Sequence, residues 1–168
     1  MTSPPPMIRR ISWVAVIPQF IALALAISLG QLLSPAKPSN GMLWGAAVYL
    51  FYSFGSRMLI PRDHRAGIAL SRQQRFADAI PRFQQSLEFF DRHDWIDSYR
   101  SIVLMSPSAV SYREMALANI AFCYSQIGDG EQARSYYEKC LQRFPESGLA
   151  ITAMRMLDSA RQAKPDPP

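Results

Sequence analysis

Residues 120–145 read IAFCYSQIGDGEQARSYYEKCLQRFP. The first half continues a stripe that begins upstream: Met115, Leu117, Ile120, Ala121, Tyr124 and Ile127. Spacings of three and four residues put such side chains on one helical face. Ser111-Tyr112-Arg113-Glu114 forms a capping box ahead of that stripe. Gly128 stands where a helix ends on a left-handed residue. Asp129 then caps a second helix, with Gln132 three residues on. Ala133, Tyr136, Tyr137, Cys140, Leu141 and Phe144 are its apolar stripe, and Pro145 stops it. Two helices joined by so short a turn run antiparallel and face each other.

This pattern resembles the tetratricopeptide repeat, a 34-residue helix-turn-helix. Leu117 stands in the large apolar place of the first helix, Ala121 in its small place and Tyr124 in its aromatic place. Ala133, Tyr137 and Cys140 follow in the second helix, Cys140 replacing the usual alanine. Upstream, Gly67, Leu70, Ala79, Phe83 and Ser86 keep the same mutual offsets, with Asp91 in the place of the proline. Pro81 is read as lying in the first turn of its helix, where a missing N–H costs little. Ala79 and Ala133 are 54 positions apart, one repeat plus an insertion of 20. The resemblance thus spans about residues 60–160, with one good repeat and one weak one.

The insertion is DRHDWIDSYRSIVLMSPSAV, residues 91–110. Trp95, Tyr99, Ile102 and Val103 share a helical face there, followed by a Ser-Pro-Ser turn. That face either fills the core between repeats or docks a partner. Its Arg92, Asp94, Asp97 and Arg100 sum to zero, which argues against a basic helix on a membrane surface. Leu149–Ala160, with Met154, Met156 and Leu157, continues as a helix capping the open end of the stack.

Outward from the repeats, the N-terminal part differs in composition. Residues 1–62 hold five Lys+Arg and no acid, whereas residues 63–168 hold 13 of each sign. The net charge of +5 therefore belongs to the N-terminal part, flanking apolar segments, and nucleic acid is not implied as a partner. Ile11–Leu33 is a 23-residue run without a charge, about 34 Å as a helix. Asn40–Gly55, with Ser56, Arg57 and Met58–Ile60 behind it, is a second and shorter candidate, in which Arg57 would snorkel toward headgroups. Cationic residues flank the pair (Arg9, Arg10; Arg57, Arg62, Arg65), and the joint carries only Lys37. A competing reading makes the first run a cleaved signal peptide, with Ser28-Leu29-Gly30 near the cut. Ala22, Ala26 and Gly30, and likewise Gly41 and Gly45, recur every fourth residue, the spacing that lets helices approach closely. Packing of the two segments on each other accounts for both stripes. Pro18 and Gln19 mark either a kink in the first segment or its cytoplasmic third.

The expected fold class is all-α: an N-terminal two-helix transmembrane hairpin followed by a short repeat solenoid with a capping helix. The expected parts are a tail (1–10), a first span (11–33), a loop (34–41), a second span (42–60), a cytoplasmic helical domain (61–163) and a tail (164–168). Both termini would lie in the cytoplasm, and 15 Arg against 3 Lys hints at a bacterial genome, hence an inner membrane.

The sequence contains no nucleophile motif, phosphate loop or paired catalytic carboxylates, so no enzyme, cofactor or small-molecule substrate is implied. Cys123 and Cys140, without a CxxC, and His64 and His93 make no zinc set. Both thiols fall on apolar helical positions and read as buried and structural. The resemblance implies instead a surface for a protein partner, its concave wall lined by the first helix of each repeat. The positions mapping there are His64, Ile68, Ser71, Arg72, Ala118, Phe122, Ser125 and Gln126, with Asn119 beside them. Ile68, Arg72, Asn119, Phe122 and Gln126 are the candidate partner-binding residues. Asn119 alone matches the family's carboxylate clamp, which argues against that clamp, and Ile68 and Phe122 suit an apolar or helical peptide better. The same side chains equally suit contacts with the insertion or the capping helix. The expected function is a membrane-anchored docking adaptor; the alternative is an assembly subunit of a membrane complex, held through its hairpin.

Overall fold

A computed structural model describes residues 16–34, 38–106 and 108–162. Among the described residues the regular elements are helices: α1 (Ile17–Leu33), α2 (Pro38–Leu59), α3 (Arg62–Arg72), α4 (Phe76–Arg92), α5 (Asp94–Ser98), α6 (Arg100–Val103), α7 (Tyr112–Gln126), α8 (Gly130–Arg143) and α9 (Gly148–Gln162). They divide into two compact units, one of residues 61–94 with the chain from 112 onward, the other of the chain up to 60 with 95–111.

In the first of these units α3 packs on α4, α4 on α7, α7 on α8 and α8 on α9. The turn between α7 and α8 forms as its residues dictate. Gly128 has φ +86°, a left-handed value that costs glycine nothing. The Asp129 carboxylate accepts from the Gln132 backbone N–H at 3.0 Å. Helix α7 is central, so it is buried on more than one side. Ile120 and Cys123 meet Ala79, Ile80 and Phe83 of α4. Leu117, Ala118 and Ala121 meet Tyr137 and Cys140 of α8 and Ala150 of α9. A single apolar stripe therefore understates α7: Ala116, Ala118 and Cys123, off that stripe, are buried too.

The weak repeat has the same packing. Ala79, Phe83 and Ser86 are all at most 2 % exposed. Gly67 lies so close to Phe83 that a Cβ there would come within 2.7 Å of its ring. The two second helices are tied side by side, Gln84 Nε2 donating to the Tyr136 hydroxyl at 3.2 Å and Arg143 to Asp91 at 3.0 Å. One expectation fails: Pro81 is interior to α4, which begins at Phe76. The Ala77 carbonyl thereby loses its intrahelical donor, but Ala77 and Pro81 are both exposed and water can reach it.

The other unit overturns the membrane reading. Among the described residues no helix is long and apolar enough to cross a membrane. Helix α1 has 17 residues, about 25 Å against a hydrocarbon core of about 30 Å. Pro18 stands at the start of that helix, where proline is at home, and makes no kink. Helix α2 has 22 residues but is diluted by Ser39, Asn40, Ser53, Ser56 and Arg57. The described residues are therefore all-helical, consistent with a repeat solenoid but without a transmembrane hairpin, and a two-span inner-membrane location falls with it. Arg9, Arg10, Lys37 and the tail 164–168, on which the topology and boundary expectations partly rest, lie outside the described residues.

Arg57 has a different task from snorkelling. Its guanidinium donates to the Leu104 carbonyl at 3.3 Å and to that of Met105. Tyr52 Oη donates to the Val103 carbonyl at 3.1 Å. These carbonyls belong to the last residue of α6 and the two after it, where a helix leaves acceptors unpaired. Arg100 folds the rest of the insertion onto itself, donating to the carbonyls of Asp97, Ser108 and Ala109 at 2.9–3.0 Å. The insertion is thus two short helices gathered with the hairpin. Trp95, Tyr99 and Ile102, on the face read as core or docking surface, are all more than half exposed.

Candidate docking surface

Helices α3 and α7 are the first helices of the two pairs read as repeats, related by an offset of 54. Ile68 and Phe122, equivalent under that offset, pack into one apolar cluster around Phe83 and Ile120. Phe122 also sets its ring edge-on to Phe76, centroids 5.8 Å apart. Both are only half-buried, so each offers part of its surface outward. Arg72 and Gln126, the next equivalent pair, are exposed at the C-terminal ends of the same helices. Asn119 is half-buried in the middle of α7.

The remaining wall positions do not form a free surface. His64 is 3 % exposed, its ring edge-on to Phe83 and Tyr112, with Nδ1 3.4 Å from the Ser86 hydroxyl. Ala118 is buried against α8 and α9. Ser71 Oγ lies 3.6 Å from Cys123 Sγ, and Ser125 returns its hydroxyl to the Phe122 carbonyl at 2.7 Å. With His64 and Ala118 buried, Ser71 against Cys123 and Ser125 on its own helix, the apolar pair and the Arg72–Gln126 pair remain as the outward chemistry.

The thiols are as buried as their positions imply, and both are free. Burial pushes the Cys140 thiol up to about 11, partly countered by its contact with Ser147. Burial also raises Cys123, against the Ser71 contact. Neither is a thiolate near neutral pH, so neither is a ready nucleophile. Burial takes the neighbouring Tyr137 phenol to about 12.

A further feature was not singled out by sequence reasoning. An open cleft of about 370 Å³ is lined by Arg62, Asp63, Arg82, Gln85, Glu88, Phe89, Arg92 and His93. Its charges are mostly spent on each other: Arg82 on Asp63 at 3.3 Å, Arg92 on Glu88 at 2.5 Å. The available signal was the spacing of Arg82, Gln85, Phe89 and Arg92 along one face of α4, but that spacing reads as an ordinary solvated stripe.

No curated protein and no solved structure matches the chain. Tetratricopeptide repeats generally bind protein partners and are generally not enzymes. Residues 109–147 match the family model described as tetratricopeptide repeat, which supports that family for the segment holding α7 and α8.

Proposed function

We propose that the chain is a protein–protein interaction adaptor. The observation that carries this reading is the match of residues 109–147 to a tetratricopeptide repeat. The docking surface is formed by the paired positions of α3 and α7: half-buried Ile68 and Phe122 as an apolar floor, Arg72 and Gln126 as a polar rim, Asn119 alongside. Such a surface suits an extended or helical peptide with an apolar anchor and an acceptor or carboxylate for Arg72.

The test uses the full chain as bait and compares it with a rim variant, Arg72→Glu with Gln126→Lys. Both positions are exposed, so the fold should persist, checked by an unchanged helical circular dichroism melt. The expected result is that a partner captured by the natural chain is lost by the variant. Undiminished capture by the variant would place docking elsewhere on the molecule.

A further inference from the structure

The hairpin of α1 and α2 is built with its small residues inside. A Cβ on Gly30 would sit 2.2 Å from the Gly41 carbonyl oxygen, and one on Gly45 2.3 Å from that of Ala26. The two backbones therefore touch along Ala26 and Gly30 of α1 and Gly41 and Gly45 of α2. No large side chain fits in that seam, so the large apolar residues are turned outward. Phe20, Leu25 and Leu29 of α1 and Trp44, Phe51 and Phe54 of α2 are 56–84 % exposed.

We propose that this outer face is a self-association surface, on which two copies of the chain pack their hairpins into a four-helix bundle. Area is the first argument. Seven large apolar side chains of α1 and ten of α2 are exposed. At roughly 100 Å² each they present about 1,700 Å² around the hairpin, about half of it to any one side, against about 800 Å² per partner in a stable interface and about 300–600 Å² for the largest patch on a typical monomer. Charge is the second. Helix α1 has no ionic residue, and the only one in α2, Arg57, is spent on the Leu104 and Met105 carbonyls. A two-fold contact would involve one charged group per copy, the Arg57 guanidinium, whose donors already have carbonyl acceptors within the chain. Shape is the third. The face spans two antiparallel helices of 17 and 22 residues, the form that pairs with a copy of itself in a bundle.

The test is the mass of the full chain in detergent-free buffer, by light scattering on an eluting peak. A dimer of the 19.0 kDa chain is expected. Phe51→Arg with Leu25→Arg should give a monomer, while Arg72→Glu, on the other proposed surface, should leave the dimer intact. Phe51 is the most exposed of the six, and the natural cysteines are buried, so Phe51→Cys should form a disulfide-linked dimer under mild oxidation. Three results overturn the proposal: a monomeric or polydisperse natural chain, a dimer indifferent to the arginine pair with no Phe51→Cys cross-link, or flotation of monomers with phosphatidylglycerol–phosphatidylcholine vesicles.

Discussion

The two helix pairs read as repeats, α3–α4 and α7–α8, reach the same packing from unequal local chemistry. At the turn of the second, Gly128 takes φ +86° and Asp129 caps α8. At the same place in the first, 54 residues earlier, Gln74 takes φ +61° and Arg75 makes no side-chain cap. The small residue facing the second helix is Gly67 in the first repeat and Ala121 in the second, and the aromatic beneath is Phe83 or Tyr137. Within the core the repeats agree: Ala79 and Ala133, Phe83 and Tyr137, Ser86 and Cys140 are buried pair by pair. Side-chain volume at helix crossings is thus more binding than turn chemistry, since a strained turn costs about 1 kcal/mol and a lost core aromatic several times that.

Truncating the core aromatics is the strongest way to break this equivalence. Phe83→Ala and Tyr137→Ala should each cost about 3–5 kcal/mol, read from urea melts of the full chain by circular dichroism. A mild effect at Phe83 alone would mean that the first repeat is not packed as the second is.

Alkaline pH should separate the repeats next, because Cys140 has Ser86 as its counterpart. The buried Cys140 thiol has its pKa raised from 9.0 to about 11. As pH rises the unfolded thiol ionises first, so this stabilisation is complete below pH 9 and is lost between pH 9 and 11. The loss is up to about 3 kcal/mol. Tyr137, raised from 10.0 to about 12, adds a similar loss in the next window. Melts at pH 8 and pH 11 should converge partly in Cys140→Ser; an unchanged pH dependence would show that this thiol is not protected.

Smaller effects belong to the crossings and the turns. Ala79→Leu and Ala133→Leu should each cost about 1–3 kcal/mol by overpacking a contact with no free space. Gln74→Gly should gain about 1 kcal/mol by relieving the left-handed residue, and Gly128→Ala should lose about as much. Gln142→Ala, on the exposed side of α8, should change stability by less than about 0.5 kcal/mol. If Gln142→Ala proved as damaging as Ala133→Leu, the face assigned to α8, and the register of the repeat with it, would be wrong.

Much of the repeat stack was legible because its signals are local. Helix ends were announced by Gly128, Asp129 and Pro145, and the core of each second helix by residues at three- and four-residue spacing. The candidate docking surface was legible only in part. The offset of 54 correctly pairs Ile68 with Phe122 in one cluster, but it also nominated His64, whose burial by Phe83 and Tyr112 depends on a neighbouring helix that periodicity does not see.

By itself, then, the sequence determined the helical class, the hairpin of α7 and α8, the buried positions shared by α4 and α8, and the small-residue seam of α1 and α2. Backbone propensity, capping and side-chain size act over a few residues, and they can be read where they stand. Tertiary structure alone decided the rest. It began α1 near Pro18 and α4 well before Pro81, because a helix starts where its neighbours pay for it as well as where its sequence allows. It turned Arg57 onto the carbonyls of Leu104 and Met105, a partner 47 residues away that no local pattern names. A charge-free run reads as a span only when it is counted along the chain. Folded, its large side chains lie on the outside of a hairpin whose glycines have taken the inside.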